Sequence, residues 1–369
     1  MFNARSNRES FYSFLVYIFL LMPLVSCAYF GANLRSSDGK ISHGTQAELK
    51  PKCFQTHNAW HFFGAKLEPP AGKVFHGAQG EVRPLGLFSR HVDWDGIEVY
   101  SRACGYRPKL IMHYISFDPL AFWLLKSTIF EISQRPYDYI PQIGLDFYSY
   151  IPGFDIMNPK DITHEIAKGD YDDKIKELAQ LFIEMRTPVF LRPGYEFGGN
   201  GQGRHASRLY WVIAWKRIFE IFKNEGAENV AFVWNTLDAR DYMRYYPGDE
   251  YIDWWGINVF CDHADKHNFI NSFIQDAEKH KKPVMIAEST PRHIGSAQGK
   301  ESWQKWYAPY FNLISKYPHI KAFCYINASW KDWPDKSFSH DCRIQSNQLV
   351  SSRYRKLMLG GQFINASKK

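Results

Sequence analysis

The sequence predicts an α/β chain folded as a single (β/α)8, or TIM, barrel behind a polar N-terminal extension. Three observations carry this. Eight short apolar runs recur between residues 73 and 327, and helix-spaced apolar patterns lie between most of them. With the helical pattern that follows the last run they span about 290 residues, where roughly 250 is typical of such barrels and insertions are common. A doubly wound open sheet is the structural alternative. It would place a glycine-rich nucleotide fingerprint after the first strand, and the segment from Gly77 to Gly80 lacks that spacing.

At 369 residues, 45% of them hydrophobic, the chain can build one large core. The 45 basic and 38 acidic residues leave a net charge of +7. No Lys/Arg block, zinc-finger spacing or RNA-binding signature accompanies that charge, which argues against nucleic acid as a partner. The 17% aromatic content suits sugar stacking, although packing accounts for most buried rings. We expect no cofactor and a monomer.

The N-terminus reads as an export signal. Arg5 and Arg8 precede an apolar core from Phe14 to Val25, then the small-residue segment Ser26-Cys27-Ala28. Twelve residues fall short of the roughly 20 of a membrane span, although residues 11–30 together reach that length. Leu24-Val25-Ser26-Cys27 also has the form of a bacterial lipobox. Residues 1–27 are therefore expected to be a signal peptide or, alternatively, a membrane or lipid anchor. The protein would be secreted or held at the extracellular surface, touching membrane only through that anchor. Cys53, Cys104, Cys261, Cys324 and Cys342 follow the signal, and in an oxidising compartment one or two disulfides are expected, leaving a thiol free. Asn327-Ala328-Ser329 and Asn365-Ala366-Ser367 match the N-glycosylation acceptor pattern.

Residues 28–72 are polar and without clear period, an extension expected on the outside or bottom of the barrel; residues 73–360 form the barrel and 361–369 a tail. The expected strands are Lys73–Gln79, Lys109–Phe117, Pro141–Tyr148, Pro188–Phe197, Val230–Thr236, Ile252–Phe260, Pro283–Thr290 and Ile320–Asn327. Helical patterns follow at Trp94–Cys104, Pro119–Gln134, Tyr171–Met185, Ser207–Lys223, Asn268–Lys281, Glu301–Lys316 and Gln345–Leu359. Within Tyr171–Met185, Ile175, Leu178, Leu181, Phe182 and Met185 share one face, and Asp172 and Asp173 sit in the first turn, where the helix dipole favours them. Gly226 supplies a stop after Ser207–Lys223.

The fourth strand and its loop read PVFLRPGYEFGGNGQG, residues 188–203. Alternation places Phe190, Arg192, Gly194 and Glu196 on one face. A core strand has no use for an Arg and a Glu together unless that face opens onto a site, and strand carboxyl ends are the functional face of βα barrels. The other reading is a structural ion pair beneath a glycine loop. Glu288 ends the apolar run Val284–Ala287 in the same way on the seventh strand. A closed barrel would aim both carboxylates into one cleft, and two carboxylates across a sugar-sized gap are what glycoside hydrolysis requires. Other candidates carry less. Cys261, Asp262, His263, Asp265 and His267 offer metal-ligand types on a loop, but no helix orders them and no metal is called for. His113 on the second strand reads equally as a substrate contact or a core histidine. Ser289 has no nucleophile elbow around it.

The motifs GDYDDKI (169–175), PVFLRPGYEFGG (188–199), GAENVAFVWN (226–235), YYPGDEYIDWWGINVF (245–260) and KPVMIAEST (282–290) resemble, in order, those of glycoside hydrolase family 26, the beta-mannanase-like members of the large clan of retaining (β/α)8 glycosidases. The first half of the barrel matches far more loosely. The resemblance implies that Glu196 is the acid/base and Glu288 the nucleophile. It also implies that Arg192 holds the carboxylates and that Trp234, Asn235, Asn258 and Trp330 line the cleft. It implies a retaining endo-hydrolase of a beta-linked polysaccharide, mannan- or xylan-type. Three positions depart from the family pattern: Tyr195 stands where His is usual, Phe260 where a Tyr contacts the nucleophile, and the glycines of 198–203 where an aromatic platform is expected. Those departures motivate an alternative, a non-catalytic carbohydrate-binding barrel derived from such an enzyme.

Overall fold

A computed structural model describes residues 63–81, 92–117, 119–149, 160–198, 207–237, 241–331 and 339–369. The expected signal or anchor with Cys27, most of the extension, Cys53, and Gly199, Gly201 and Gly203 lie outside the described residues. Eight parallel strands alternate with helices: β1 Val74–Gln79, α1 Trp94–Cys104, β2 Leu110–Ser116, α2 Pro119–Gln134, β3 Ile140–Asp146, α3 Asp172–Met185, β4 Val189–Pro193, α4 Arg208–Glu225 and β5 Val230–Thr236. There follow β6 Trp254–Val259, α5 Asn268–Lys279, β7 Val284–Ser289, α6 Ala308–Lys316, β8 Ile320–Ile326 and α7 Gln348–Met358. Between β5 and β6 the described residues hold only two 3-10 turns, Tyr242–Tyr245 and Asp249–Tyr251.

Each strand pairs with the next in parallel, and β8 pairs with β1, Phe75 opposite Ala322 through Gln79 opposite Ile326. The ring is closed, which excludes the open doubly wound sheet. Period-two alternation divides the apolar residues into two cores. Phe75, Leu110, Met112, Phe190, Trp254 and Met285 fill the barrel interior. Ile111, Leu191, Phe232, Trp255 and Ile286 face outward into the layer that also holds Ile175, Leu178 and Phe182 of α3 and Trp211 and Trp215 of α4.

The amino-terminal end of the barrel is sealed twice. The described end of the extension crosses beneath β5, β6 and β8. Trp254 Nε1 donates to the Lys66 carbonyl at 2.7 Å, Lys66 Nζ to that of Val230 at 2.9 Å, and Lys321 Nζ to that of Pro70 at 2.9 Å, while Leu67 packs against the interior core. The chain end expected as a tail is stitched into the same base. Phe363–Ile364 runs parallel to β1, the Asp138 amide donates to Ser367 O at 3.0 Å, and that of Lys369 to Pro136 O at 3.1 Å. With the bottom closed, the carboxyl ends of the strands are the face left for a site.

Two expectations are corrected. Cys104, Cys261, Cys324 and Cys342 are all free, so no disulfide joins the described cysteines. Cys324 is locked in the barrel interior and Cys104 in the helix-facing layer, and burial pushes both thiols up to about 12. Asn327, the first glycosylation candidate, is buried; its Nδ2 donates to Gln345 Oε1 at 3.2 Å and its Oδ1 accepts the Ile344 amide at 2.9 Å.

Candidate active site

Neither carboxylate reaches the cleft by regular strand geometry. On β7, Met285 and Ala287 point inward, so strict alternation would turn Glu288 towards the helices. A β-bulge prevents this. Ile257 on β6 pairs with Ile286 but Asn258 pairs with Glu288, leaving Ala287 as the extra residue, and the register against β8 shifts in the same place. The bulge adds one residue and re-aims Glu288 into the barrel mouth.

On the other side of the site, β4 ends at Pro193. The strand-like continuation expected through Glu196 is replaced by left-handed backbone, φ +51° at Gly194 and +59° at Glu196. Position 194 admits only glycine, since a Cβ there would lie 2.5 Å from Trp211 Nε1 and 2.7 Å from the Phe147 ring. The Gly194 amide donates to Leu145 O at 2.8 Å and its carbonyl accepts from Trp211 Nε1 at 3.1 Å, fixing the turn that delivers Glu196.

One hydrogen-bonded chain joins the two acids. Arg192 Nη1 donates to Glu288 Oε1 at 2.7 Å and to Asn235 Oδ1 at 2.8 Å; Asn235 Nδ2 donates to Asn258 Oδ1 at 3.1 Å; Asn258 Nδ2 donates to Glu196 Oε1 at 2.9 Å. A guanidinium can only donate, so Asn235 must turn its oxygen to Arg192 and its amide nitrogen to Asn258 Oδ1, which fixes both amide orientations. Because Asn258 is also the registered neighbour of Glu288, the carboxylates stand on either side of a single residue. Arg192 is fully buried, Glu288 is 5% exposed and Glu196 is half-buried. Burial opposes the charge on Arg192, but Glu288 and Tyr114 beside it outweigh that and raise its pKa. Burial likewise pushes the Tyr114 phenol up, Glu288 adds to the shift and Arg192 opposes it.

Of the other expected residues, Tyr195 is buried with its ring centroid 5.1 Å from Arg192 Cζ. Phe260, two residues after Asn258, packs on the interior core at the mouth, and Trp330, past the end of β8, joins the same core. Trp234 does not line the cleft. Ala231 and Val233 face inward, so parity turns Trp234 outward, where Nε1 donates to Tyr245 O at 3.1 Å and the ring meets Trp255 at 4.8 Å. Parity also settles His113, which shares the helix-facing side with Ile111 and Ile115. Its inward neighbour Tyr114 is the site residue that sequence reasoning missed, although alternation along the second strand carried the signal. Ser289 Oγ is within 2.9 Å of Tyr310 OH and donates to Cys324 O at 2.8 Å, engaged on the shell side. Among the described residues no group of three or more His, Cys, Asp or Glu is placed to hold a metal ion.

Residues 156–333 match the family model described as Glycosyl hydrolase family 26. The segment belongs to glycoside hydrolase family 26. It begins after β3, consistent with the looser resemblance of the first half, and it contains Arg192, Glu196, Asn235, Asn258 and Glu288. A beta-1,3-xylanase from Alcaligenes sp is 26% identical over 232 residues, covering 55% of this chain and 49% of that protein. Another from Vibrio sp is 24% identical over 235 residues, covering 56% and 51%. The chain thus spans about half the length of the curated relatives it matches. Among solved structures, the Bacillus subtilis mannanase superposes with a TM-score of 0.53 at 17% identity, covering 80% of this chain and 88% of that one. The Bacteroides ovatus family 26 beta-mannanase gives 0.55 at 16%, covering 80% and 90%. At these identities the structures establish the barrel, and at 80% of this chain they extend beyond the segment matched by the family model.

Proposed function

We propose that this protein is a retaining endo-glycosidase acting on a beta-linked polysaccharide. The observation that carries the reading is the chain from Glu288 through Arg192, Asn235 and Asn258 to Glu196, which holds two acids around one cleft at the carboxyl ends of β4 and β7. Glu288 attacks the anomeric carbon as the glycosidic C–O bond breaks, and the departing oxygen takes the proton of Glu196. Water then attacks the glycosyl-enzyme, gives its proton to Glu196 and releases Glu288, with net retention. The mechanism needs the carboxyl groups roughly 5–5.5 Å apart, too close for a water between them. Xylan- and mannan-type backbones lead as substrates, beta-1,3-xylan first, because the curated relatives carry that name. The N-terminal sequence supports action outside the cell, secreted or anchored, which mass spectrometry of the mature N-terminus decides.

The deciding experiment is digestion of a glycan panel by wild type, Glu196→Ala and Glu288→Ala, with the product anomer followed by NMR. Retention by wild type and losses of about 10²–10⁴ in kcat for the Glu196 variant are expected, with turnover abolished in the other. Inversion at C1, or undiminished turnover in either variant, overturns the assignment. The second reading, a barrel that binds sugar without cleaving it, is favoured by Phe260, whose ring has no hydroxyl to offer Glu288; calorimetric binding without new reducing ends would select it.

A further inference from the structure

Tyr114, Gly144 and Arg192 form one lateral row across three strands. Tyr114 on β2 is paired in register with Gly144 on β3, and Gly144 with Arg192 on β4. All three positions face the barrel mouth. Two strand spacings separate the outer pair by about 10 Å of backbone, so their side chains meet only if the middle residue leaves room. Gly144 does this. A Cβ built on it would lie 2.7 Å from Tyr114 Cδ1 and 3.1 Å from Cδ1 and Cε1 of Tyr195. The Tyr114 and Tyr195 ring centroids are 5.2 Å apart, and Arg192 Cζ is 5.4 Å from the first and 5.1 Å from the second. Those three distances make a nearly equilateral triangle. The rings form a V on one side of the guanidinium rather than a sandwich around it.

Arg192 needs such a support. Nη1 carries both of its aligned hydrogen bonds, to Glu288 and Asn235; the Tyr114 hydroxyl lies close enough to act on the guanidinium but gives Nε and Nη2 no aligned bond. A guanidinium held through one nitrogen can still rotate about that contact. Desolvated aromatic faces attract it and remove the freedom.

We propose that Tyr114 is a positioning residue for the nucleophile: its ring, together with that of Tyr195, cradles Arg192 over the gap left by Gly144 and so fixes Glu288. The proposal rests on the hydrolase reading and adds residues outside the matched family segment, since Tyr114 and Gly144 both precede residue 156. A positioning role acts on the bond-making step and leaves ground-state sugar binding alone. Tyr114→Leu and Gly144→Ala should each lower kcat about 10- to 30-fold with KM within about 2-fold of wild type, and Tyr114→Phe, which keeps the ring, should restore kcat to within about 3-fold. If Tyr114→Leu does not fold, Gly144→Ala, a single added methyl, carries the test. The Nε–H NMR resonance of Arg192, assigned by its loss in Arg192→Lys, gives a readout independent of turnover. It should change shift and exchange faster with water in the Leu and Ala variants and stay in place in the Phe variant. Tyr114→Phe as damaging as Tyr114→Leu, a rise in KM at constant kcat, or an unmoved Arg192 resonance would overturn the cradle. Wild type that cleaves no glycan would instead sink the hydrolase reading, and the resonance alone would then decide the cradle.

Discussion

Replacing Arg192 by Met removes the cation paired with Glu288 among the described residues and keeps most of the side-chain volume. The pair is 2.7 Å apart with the Arg side chain fully buried and that of Glu288 6% exposed, so solvent cannot take the cation's place. Removing one partner of a buried ion pair typically costs about 3–5 kcal/mol, because the stranded charge keeps its desolvation penalty. At roughly 2 °C per kcal/mol for a domain of this size, thermal unfolding should fall by about 6–10 °C. The assay is a two-by-two cycle with Glu288→Gln, followed by calorimetry at neutral pH. The neutral amide leaves no charge to strand, so the double variant should recover most of the loss, and the coupling should exceed about 2 kcal/mol. Additive losses, or a fall in Tm below about 2 °C for Arg192→Met, would refute the claim that Arg192 exists to hold Glu288. A stable but inactive Arg192→Met would point the same way.

Three further outcomes are expected. His76 is buried, its Nδ1–H donating to Asn365 Oδ1 at 2.7 Å and its Nε2 accepting from Tyr100 OH at 2.7 Å; burial lowers its pKa to about 4, with Asn365 opposing. That folded value lies below the roughly 6.5 of an unfolded histidine, so its contribution is complete above pH 6.5 and about 3 kcal/mol is lost as the pH falls to 4, a slope that urea titrations should find flattened in His76→Gln. Asn258→Ala removes the Asn258 donor to Glu196 and should cost about 10- to 100-fold in kcat with little change in Tm; a KM effect alone would place Asn258 in sugar binding instead. Trp234→Ala should cost about 3–5 kcal/mol of stability and lower kcat with KM unchanged, whereas a KM rise would return Trp234 to the cleft.

The barrel was legible because its signals are periodic and repeated. Each of the eight runs expected as a strand overlaps one, and each helical pattern overlaps a helix. Parity is equally legible: it separates His113 from Tyr114 and Trp234 from Asn235, turning Tyr114 inward and Trp234 outward, where the family resemblance alone implies that Trp234 lines the cleft. The strand-end places of Glu196 and Glu288 are legible in the sequence, although Glu196 arrives at the mouth by a left-handed turn and not by alternation. A bulge at Ala287 and left-handed turns at Gly194 and Glu196 break the period, and such breaks depend on contacts with β6, β8 and α4 that lie far away in sequence. Disulfides were expected from compartment alone; layer assignment, which keeps Cys104 and Cys324 in different cores, needs the folded barrel.

A non-glycine residue at positive φ costs on the order of 1–3 kcal/mol and persists only where its surroundings over-determine it. For Glu196 the over-determination comes from the next residue, on the far side of the barrel wall. Phe197 is fully buried, its ring 4.8 Å from Trp211, 4.8 Å from Trp234 and 5.1 Å from Tyr245. Its carbonyl accepts from Thr236 Oγ1 at 3.2 Å, and Phe197 forms a parallel bridge to Thr236, so the segment regains the sheet directly after the turn. With Gly194 pinned on one side and Phe197 on the other, the backbone between them has little choice but to project Glu196 into the mouth. Trp234 therefore bears on the placement of Glu196 from outside the cleft: it holds Phe197, Phe197 holds the turn, and the turn sets the carboxylate. Left-handed non-glycine backbone also occurs at the amino-terminal end of the barrel, at Leu67, Arg186 and Lys281, so what sets Glu196 apart is the aromatic packing around Phe197 that holds it.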